Sequence, residues 1–90
     1  MKRIHLWVSG FVQGIGFRSF VMRKANGLGI GGWVKNLPDG MVEIVGEGED
    51  WKLKELVRNV KIGPSFATVS GVQVKEEEYK NEFKQFTVRF

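Results

Sequence analysis

The sequence predicts an α+β fold in which two helices cover one face of an antiparallel sheet, and three observations lead to this prediction. Apolar and polar residues alternate near the start and the end of the chain, which is typical of strands with one buried face. Two internal segments carry apolar residues at the spacing of amphipathic helices. Between these segments lie two β-rich runs joined by a turn sequence, which predicts a hairpin.

The first strand and the first helix flank a glycine-rich turn. The strand alternates over residues 4–9, and its apolar side consists of Ile4, Leu6 and Val8. Helical spacing begins after the turn, with an apolar stripe that contains Phe17, Phe20, Val21, Ala25 and Leu28. Gly29 suits the left-handed position that ends a helix, so the helix is expected to stop near Leu28.

A hairpin and a second helix follow. The two β-rich runs are separated by Pro38-Asp39-Gly40, in which each residue type favours a turn. Asp50 is expected to cap the second helix, and Gly63-Pro64 is expected to end it. The apolar stripe of this helix consists of Leu53, Leu56, Val57 and Val60.

Two further strands complete the chain. The first covers residues 67–75, and the phase of its apolar residues changes at Gly71, which indicates a bulge or a bend. The charged run at 76–82 is expected to be a solvated loop. A last short strand has Phe86, Val88 and Phe90 on its apolar side. The order β-α-β-β-α-β with a short terminal strand is that of ferredoxin-like two-layer sandwiches, whose first and third strands are central.

Length and composition restrict the class of protein. Ninety residues form a single domain, expected to cover 1–90. No apolar stretch approaches the roughly 20 residues that cross a bilayer, and the first residues lack the apolar region of a secretory signal, so a cytoplasmic location is expected. The chain has no cysteine and a single histidine, His5, which is expected at the surface; a metal site is therefore not expected. A net charge of +4 favours anionic partners.

The turn between the first strand and the first helix has the composition of an anion-binding site. Gly10, Gly14 and Gly16 allow successive backbone N–H groups to face one centre, and the helix start adds N–H groups of its own. Arg18, in the first helical turn, can bind two oxygens of a phosphoryl group. These residues indicate a small phosphorylated substrate. The alternative is a tight connection followed by a surface arginine, and the residue types alone do not decide between the two.

Two segments closely resemble the signatures of the acylphosphatase family. The loop signature of that family, G-x-V-Q-G-V-x-F-R, is matched by Gly10-Phe11-Val12-Gln13-Gly14-Ile15-Gly16-Phe17-Arg18. Its strand signature, G-W-V-x-N, is matched by Gly32-Trp33-Val34-Lys35-Asn36. Ile15 stands where valine is commonest, and Phe11 occupies a variable position. Similarity continues at 39–43, at 63–64 and at 86–90, so the resemblance spans nearly the whole chain.

The resemblance implies a hydrolase that needs no metal and no cofactor and that splits acyl phosphates, the anhydrides of a carboxylic acid and phosphate, into a carboxylate and inorganic phosphate. By the same resemblance, Arg18 binds the phosphoryl oxygens and Asn36 holds the attacking water, so these two are the expected catalytic residues. The expected phosphate site comprises Phe11, Val12, Gln13, Gly14, Ile15, Gly16, Phe17 and Arg18. The chain is expected to be a monomer that binds neither nucleic acid nor membranes.

The chemistry of this reaction agrees with the absence of acids and bases from the two signatures. A carboxylic acid has a pKa near ~4, so a carboxylate leaves without a general acid. Fixed N–H dipoles and one arginine can stabilise phosphoryl transfer without a metal. Asn36 is not basic, so its expected role is to orient the water. The resemblance implies that a phosphate oxygen of the substrate accepts the proton of this water. Without the resemblance, Asn36 is better explained as a residue that caps the turn at 38–40.

Two other functions share this architecture. An RNA-binding module of the RRM type has the same element order, a basic charge and Gly-Phe-x-Phe elements loosely like residues 16–20. Its aromatic residues belong on a strand face, however, whereas Phe17 and Phe20 begin a helix, which leaves Trp7 as the candidate for base stacking. The other alternative is a regulatory domain that binds a small molecule unchanged, and a turnover assay separates it from an enzyme.

Overall fold

Five strands and two helices form the structure, a computed structural model that describes all 90 residues, Met1–Phe90. The strands are β1 (Lys2–Phe11), β2 (Gly31–Asn36), β3 (Val42–Gly48), β4 (Thr68–Glu77) and β5 (Phe86–Arg89). The helices are α1 (Phe17–Gly27) and α2 (Asp50–Ile62). Their order and pairing confirm the predicted ferredoxin-like α+β sandwich. Neither helix has the length and hydropathy of a membrane-spanning segment.

The sheet has the strand order β4-β1-β3-β2-β5. β1 pairs antiparallel with β3 and β4, and β2 pairs antiparallel with β3, so the first and third strands lie inside the sheet as predicted. β5 departs from the antiparallel expectation because it pairs parallel to β2. β4 runs opposite to β1 and β2, so it ends at the edge of the sheet where β2 begins. A strand that starts from this edge and pairs with β2 is therefore parallel to it.

Both helices pack on one face of the sheet, where the predicted apolar stripes meet. In β1 the side chains of Ile4, Leu6 and Val8 are buried, as the alternation predicts. The buried helical residues are Phe17, Val21 and Ala25 in α1, and Leu53, Leu56 and Val60 in α2. Each large aliphatic side chain removed from water in this way stabilises the fold by about 1.5–3 kcal/mol. The two-layer arrangement therefore follows from residues that the local patterns identify.

The start of α2 differs from the prediction. Asp50 is the first residue of the helix, and the N-cap is Glu49, which makes no side-chain capping hydrogen bond. The Asp50 carboxylate instead contacts Lys2 Nζ at 3.2 Å and Lys54 Nζ at 3.0 Å. A carboxylate in the first helical turn also interacts favourably with the helix dipole. Two ammonium groups and the dipole therefore take the place of the expected cap.

β4 ends at Glu77, two residues beyond its predicted end at 75. The irregularity predicted at Gly71 is confirmed, because the pairing with β1 shifts there and leaves Ser70 as the extra residue.

The connection from β4 to β5 is a largely exposed loop from Glu78 onward, as predicted, but its backbone is anchored to the sheet. The carboxylate of Glu47, which is buried, accepts hydrogen bonds from the backbone N–H groups of Lys80 and Glu82 at 2.7 and 3.0 Å. Arg3 Nη1 lies 3.5 Å from the same carboxylate. The run of acidic residues gives no sign of this arrangement, because the groups that bind Glu47 are backbone amides and a residue near the chain start.

His5 is on the polar side of β1, as predicted, but neighbouring side chains cover most of it. It lies on the open face of the sheet between two carboxylates, with Nε2 2.6 Å from Glu43 Oε2 and Nδ1 3.0 Å from Glu77 Oε2. Its ring stacks on Trp7 at 3.9 Å between ring centres. A neutral imidazole has one N–H, so both carboxylates receive a hydrogen bond only from the protonated ring. The hydrogen bond from His5 lowers the pKa of Glu77, and the charge of His5 and the Arg3 guanidinium act in the same direction.

We expect the substitution Glu77→Gln to lower the free energy of unfolding by about 1 kcal/mol at pH 7, because it removes a charge-assisted contact that links β1 to β4. Since the folded state lowers the pKa of Glu77, the contribution of this carboxylate is present above the pKa of the unfolded chain and is lost as the pH falls through the folded value. When the pH is lowered below about 5, the free energy of unfolding should therefore fall less in the variant than in the wild type. Urea unfolding between pH 7 and pH 3 measures the difference.

Glu78→Gln is the matched control, because Glu78 is the next residue, is exposed and forms no ion pair. The same dependence of stability on pH in both variants would contradict the role of Glu77.

Candidate active site

Three strands end at the same edge of the sheet, and their ends form the candidate site. β1 and β2 both run antiparallel to β3, and β5 runs parallel to β2, so β1, β2 and β5 point the same way. β1 is followed by the loop Val12–Gly16, β2 ends at Asn36, and β5 is followed by Phe90. Segments that are far apart in the sequence therefore meet at one edge.

The loop Val12–Gly16 presents backbone donors that the protein itself does not use. Gly14 and Gly16 have φ angles of 76° and 82°, in the left-handed region that favours glycine. The backbone N–H groups of Val12–Gly16 donate no hydrogen bond within the protein. The first N–H groups of α1, which begins at Phe17, also have no partner within the helix. This combination of left-handed glycines and free amides is typical of a concave anion-binding turn.

The side chain of Gln13 fastens the loop to the neighbouring hairpin turn. Its Nε2 donates hydrogen bonds to the backbone carbonyls of Leu37 and Met41, both at 2.8 Å. A side chain bound in this way leaves only the backbone of Gln13 for an anion. The loop is thus held from the side of β2 and β3, and its amides are fixed in position before any ligand arrives.

Arg18 is the second residue of α1 and is partly exposed, but it is not a free surface charge. Its Nη1 donates a hydrogen bond to the backbone carbonyl of Arg89 at 3.0 Å. Its guanidinium carbon lies 4.6 Å from the centre of the Phe90 ring, a cation–π distance. Only one of the five guanidinium N–H donors is used in the protein, so the others can bind an anion while β5 holds the group.

Asn36 faces the helices and leaves a buried polar atom without a partner. It shares the phase of Val34 in β2, whose side chain is fully buried. Its Oδ1 is buried and accepts no hydrogen bond from another group of the protein. An unpaired buried polar atom costs about 1–3 kcal/mol, and in native structures such atoms often belong to functional sites.

Asn36 does not cap the hairpin turn, which was the alternative role for it. The turn is closed by a hydrogen bond from Gly40 N–H to the carbonyl of Leu37 at 3.2 Å. The carboxylate of Asp39 accepts a further hydrogen bond from Met41 N–H at 3.0 Å. The turn thus needs nothing from Asn36, and its side chain is left for another purpose.

A cavity of about 320 Å³ lies between these elements and is called here the strand-end cavity. It is lined by Val12, Gly14, Gly16, Phe17, Arg18, Ser19, Asn36, Val88 and Phe90. Both expected catalytic residues, Arg18 and Asn36, line this cavity. Five of the eight residues of the expected phosphate site line it as well, namely Val12, Gly14, Gly16, Phe17 and Arg18. The volume is at the lower end of the roughly 300–1,000 Å³ range of small-molecule sites.

Three of the expected phosphate-site residues do not line the cavity. The side chain of Phe11 is exposed at the end of β1, that of Gln13 binds the hairpin turn, and that of Ile15 packs against the core. Only their backbone groups remain available for the expected role.

The sequence patterns do not identify Ser19, Val88 and Phe90 as residues of the site. Val88 and Phe90 reach the cavity because β5 lies parallel to β2 and ends beside Asn36. An alternating strand of four residues carries no signal of its partner or its direction, so only the complete sheet reveals this wall.

No acid or base other than Arg18 lines the cavity, and His5 lies on the opposite face of the sheet. No group of three or more His, Asp or Glu side chains is placed to hold a metal ion.

Comparisons with known proteins agree on one family. A family model described as Acylphosphatase matches residues 4–88. An acylphosphatase of Archaeoglobus fulgidus is 49% identical over 90 residues, which cover both chains completely. An acylphosphatase of Chlorobaculum tepidum is 45% identical over 87 residues, or 97% of this chain and 95% of the relative. The crystal structure of an acylphosphatase from Bacillus subtilis is similar with a TM-score of 0.96 and 38% identity over the full length of both chains.

We expect Gln13→Ala to lower the free energy of unfolding by about 1–2 kcal/mol, because the carbonyls of Leu37 and Met41 lose a shared donor. Urea unfolding followed by tryptophan fluorescence measures this change. Gln73→Ala is the control, since Gln73 is exposed on β4 and its side chain forms no hydrogen bond within the protein. Equal urea midpoints for the two variants would show that the link does not stabilise the fold.

Proposed function

This chain belongs to the acylphosphatase family, and on that premise we propose that the strand-end cavity is where it hydrolyses acyl phosphates. The reaction converts an acyl phosphate and water into a carboxylate and inorganic phosphate. The observation that supports this location is the meeting of the loop, Arg18 and Asn36 around one cavity.

The phosphoryl group is proposed to lie against the loop and the start of α1. The backbone N–H groups from Phe11 to Phe17 point to an anion site because those of Val12–Gly16 have no acceptor in the protein. Arg18 adds a full positive charge and several parallel donors at the helix start, where the helix dipole is also positive. These charges are fixed before the substrate binds, so little reorganisation is needed when negative charge shifts during the reaction.

Asn36 is proposed to hold the attacking water. Its Oδ1 can accept a hydrogen bond from the water, which directs a lone pair of the water oxygen toward phosphorus. A bond forms between the water oxygen and phosphorus while the bond from phosphorus to the acyl oxygen breaks. The electron pair of the broken bond leaves with the carboxylate, and the proton of the water passes to a phosphate oxygen.

This step requires no general acid and no metal. The leaving carboxylate is the conjugate base of an acid with a pKa near ~4 and is stable without a proton. The lining of the cavity matches this requirement, because Arg18 is its only ionisable side chain. We therefore expect activity in the presence of a chelator, without any cofactor.

We also propose that residues 1–90 form a single domain that works as a monomer in the cytoplasm and binds neither nucleic acid nor membranes. One hydrophobic core of 15 buried residues supports a single domain, and the lack of cysteine fits a reducing compartment. Against an RNA-binding role, the side chain of Phe17 at the start of α1 is buried in the core, and the Trp7 ring is stacked on His5.

We expect Arg18→Lys and Arg18→Ala each to lower kcat/KM by about 10²-fold or more and to weaken inhibition by inorganic phosphate. A lysine keeps the charge but loses the planar fork that can bind phosphate and the Arg89 carbonyl together. Loss of the ultraviolet absorbance of benzoyl phosphate, with a chelator present, gives the rate. Arg23→Lys and Arg23→Ala are the controls, because Arg23 is exposed on the same helix and contacts no acid. Wild-type kinetics in the Arg18 variants would contradict the proposal.

We expect Asn36→Ala to lower kcat by about 10²–10³-fold, the effect of removing one positioned polar group, while inorganic phosphate inhibits the variant as it does the wild type. The thermal midpoint should not fall, because the substitution removes an unpaired buried atom. Steady-state kinetics and differential scanning calorimetry test the two parts. Asn59→Ala, a change on α2 away from the cavity, should keep the wild-type kcat. An unchanged kcat in Asn36→Ala would exclude the water-holding role.

A further inference from the structure

The strand-end cavity has two chemically different walls. The loop amides, Arg18 and Asn36 form a wall of polar groups. On β5, by contrast, Val88 and Phe90 line the cavity with apolar side chains. Phe90 is fully exposed, and the contact made by its ring is with the Arg18 guanidinium. A large apolar side chain that the protein leaves uncovered beside a binding cavity is a candidate ligand contact.

An acyl phosphate also has two chemically different ends. If the phosphoryl group occupies the polar wall, as the proposed function requires, the acyl group must lie elsewhere in the same space. The parallel pairing of β2 with β5 places Phe90 next to Asn36, so the apolar wall adjoins the group proposed to hold the water. The acyl group can therefore cover this wall while the phosphoryl group occupies the polar one.

We propose that Phe90 and Val88 form the acyl-binding surface and that the enzyme selects acyl phosphates with an aromatic or bulky apolar acyl group over acetyl phosphate. This selection rests on the proposed function of the cavity. An acetyl group is too small to cover the exposed ring of Phe90, whereas an aromatic acyl group can pack against it edge to face or offset. Apolar contacts of this size typically discriminate between substrates by about tenfold.

The test compares kcat/KM for benzoyl phosphate and acetyl phosphate, each divided by its uncatalysed hydrolysis rate. We expect the wild type to favour benzoyl phosphate by about tenfold or more. In Phe90→Ala this ratio should fall about five- to tenfold, and Phe90→Leu should be intermediate because it keeps part of the apolar surface. Phe90 is exposed, so these variants should fold.

The ratio separates an acyl contact from an effect on Arg18. Phe90 also touches the guanidinium, and a displaced Arg18 would slow both substrates alike and weaken inhibition by inorganic phosphate. Trp51→Ala is the matched control, since this exposed aromatic residue lies at the start of α2, outside the strand-end cavity, and should leave the ratio and both rates unchanged.

Three results would overturn the proposal, and they are distinguishable. A wild-type ratio near one would mean that the acyl group is not selected. An unchanged ratio in Phe90→Ala, with both rates reduced, would mean that Phe90 serves only to hold Arg18. If the wild type hydrolysed neither substrate, the proposed function itself would fail together with the selection.

Discussion

Backbone hydrogen bonding between β2 and β3 pairs Asn36 with Val42 and Val34 with Ile44. This register turns the side chain of Asn36 toward the helices, in the same phase as the buried Val34. A slip of one residue would turn Asn36 to the open face and would also expose Val34 and Ile44 to solvent. The core therefore fixes the register, and the register places the proposed water-holding group opposite the start of α1. The chemistry proposed for the strand-end cavity would depend in this way on apolar residues that do not take part in it.

The cavity keeps several polar groups without a partner in the protein, and the buried one, Oδ1 of Asn36, lowers the stability of the free protein. The amides of Val12–Gly16 and Oδ1 of Asn36 have no partner in the protein. Contacts outside the cavity offset this cost: Gln13 fastens the loop to the hairpin turn, and the buried Glu47 fastens the connection to β5. Such a division between a rigid support and an unsatisfied site is common where function requires fixed dipoles. It also explains why one loop side chain, that of Gln13, is structural within a proposed binding segment.

Local sequence patterns were sufficient to predict most of the fold and part of the candidate site. The alternation in β1, the stripes of α1 and α2 and the hairpin are all properties of neighbouring residues, and the structure confirms them. The clustering of glycines before Arg18 is likewise a local signal. The direction of β5, the role of Glu47 and the position of His5 between two glutamates depend on residues from distant parts of the chain. A single sequence contains no pattern that links such residues, so Val88 and Phe90 could not be assigned to the site.

Arg18 connects the two walls of the strand-end cavity. Its guanidinium is held by the Arg89 carbonyl and the Phe90 ring, and its remaining donors are free for a phosphoryl group. Changes at Arg18 and Phe90 are therefore not energetically independent, because the residues are in contact. The parallel attachment of β5 to β2 thus places the proposed acyl-binding surface directly beside the proposed phosphoryl site.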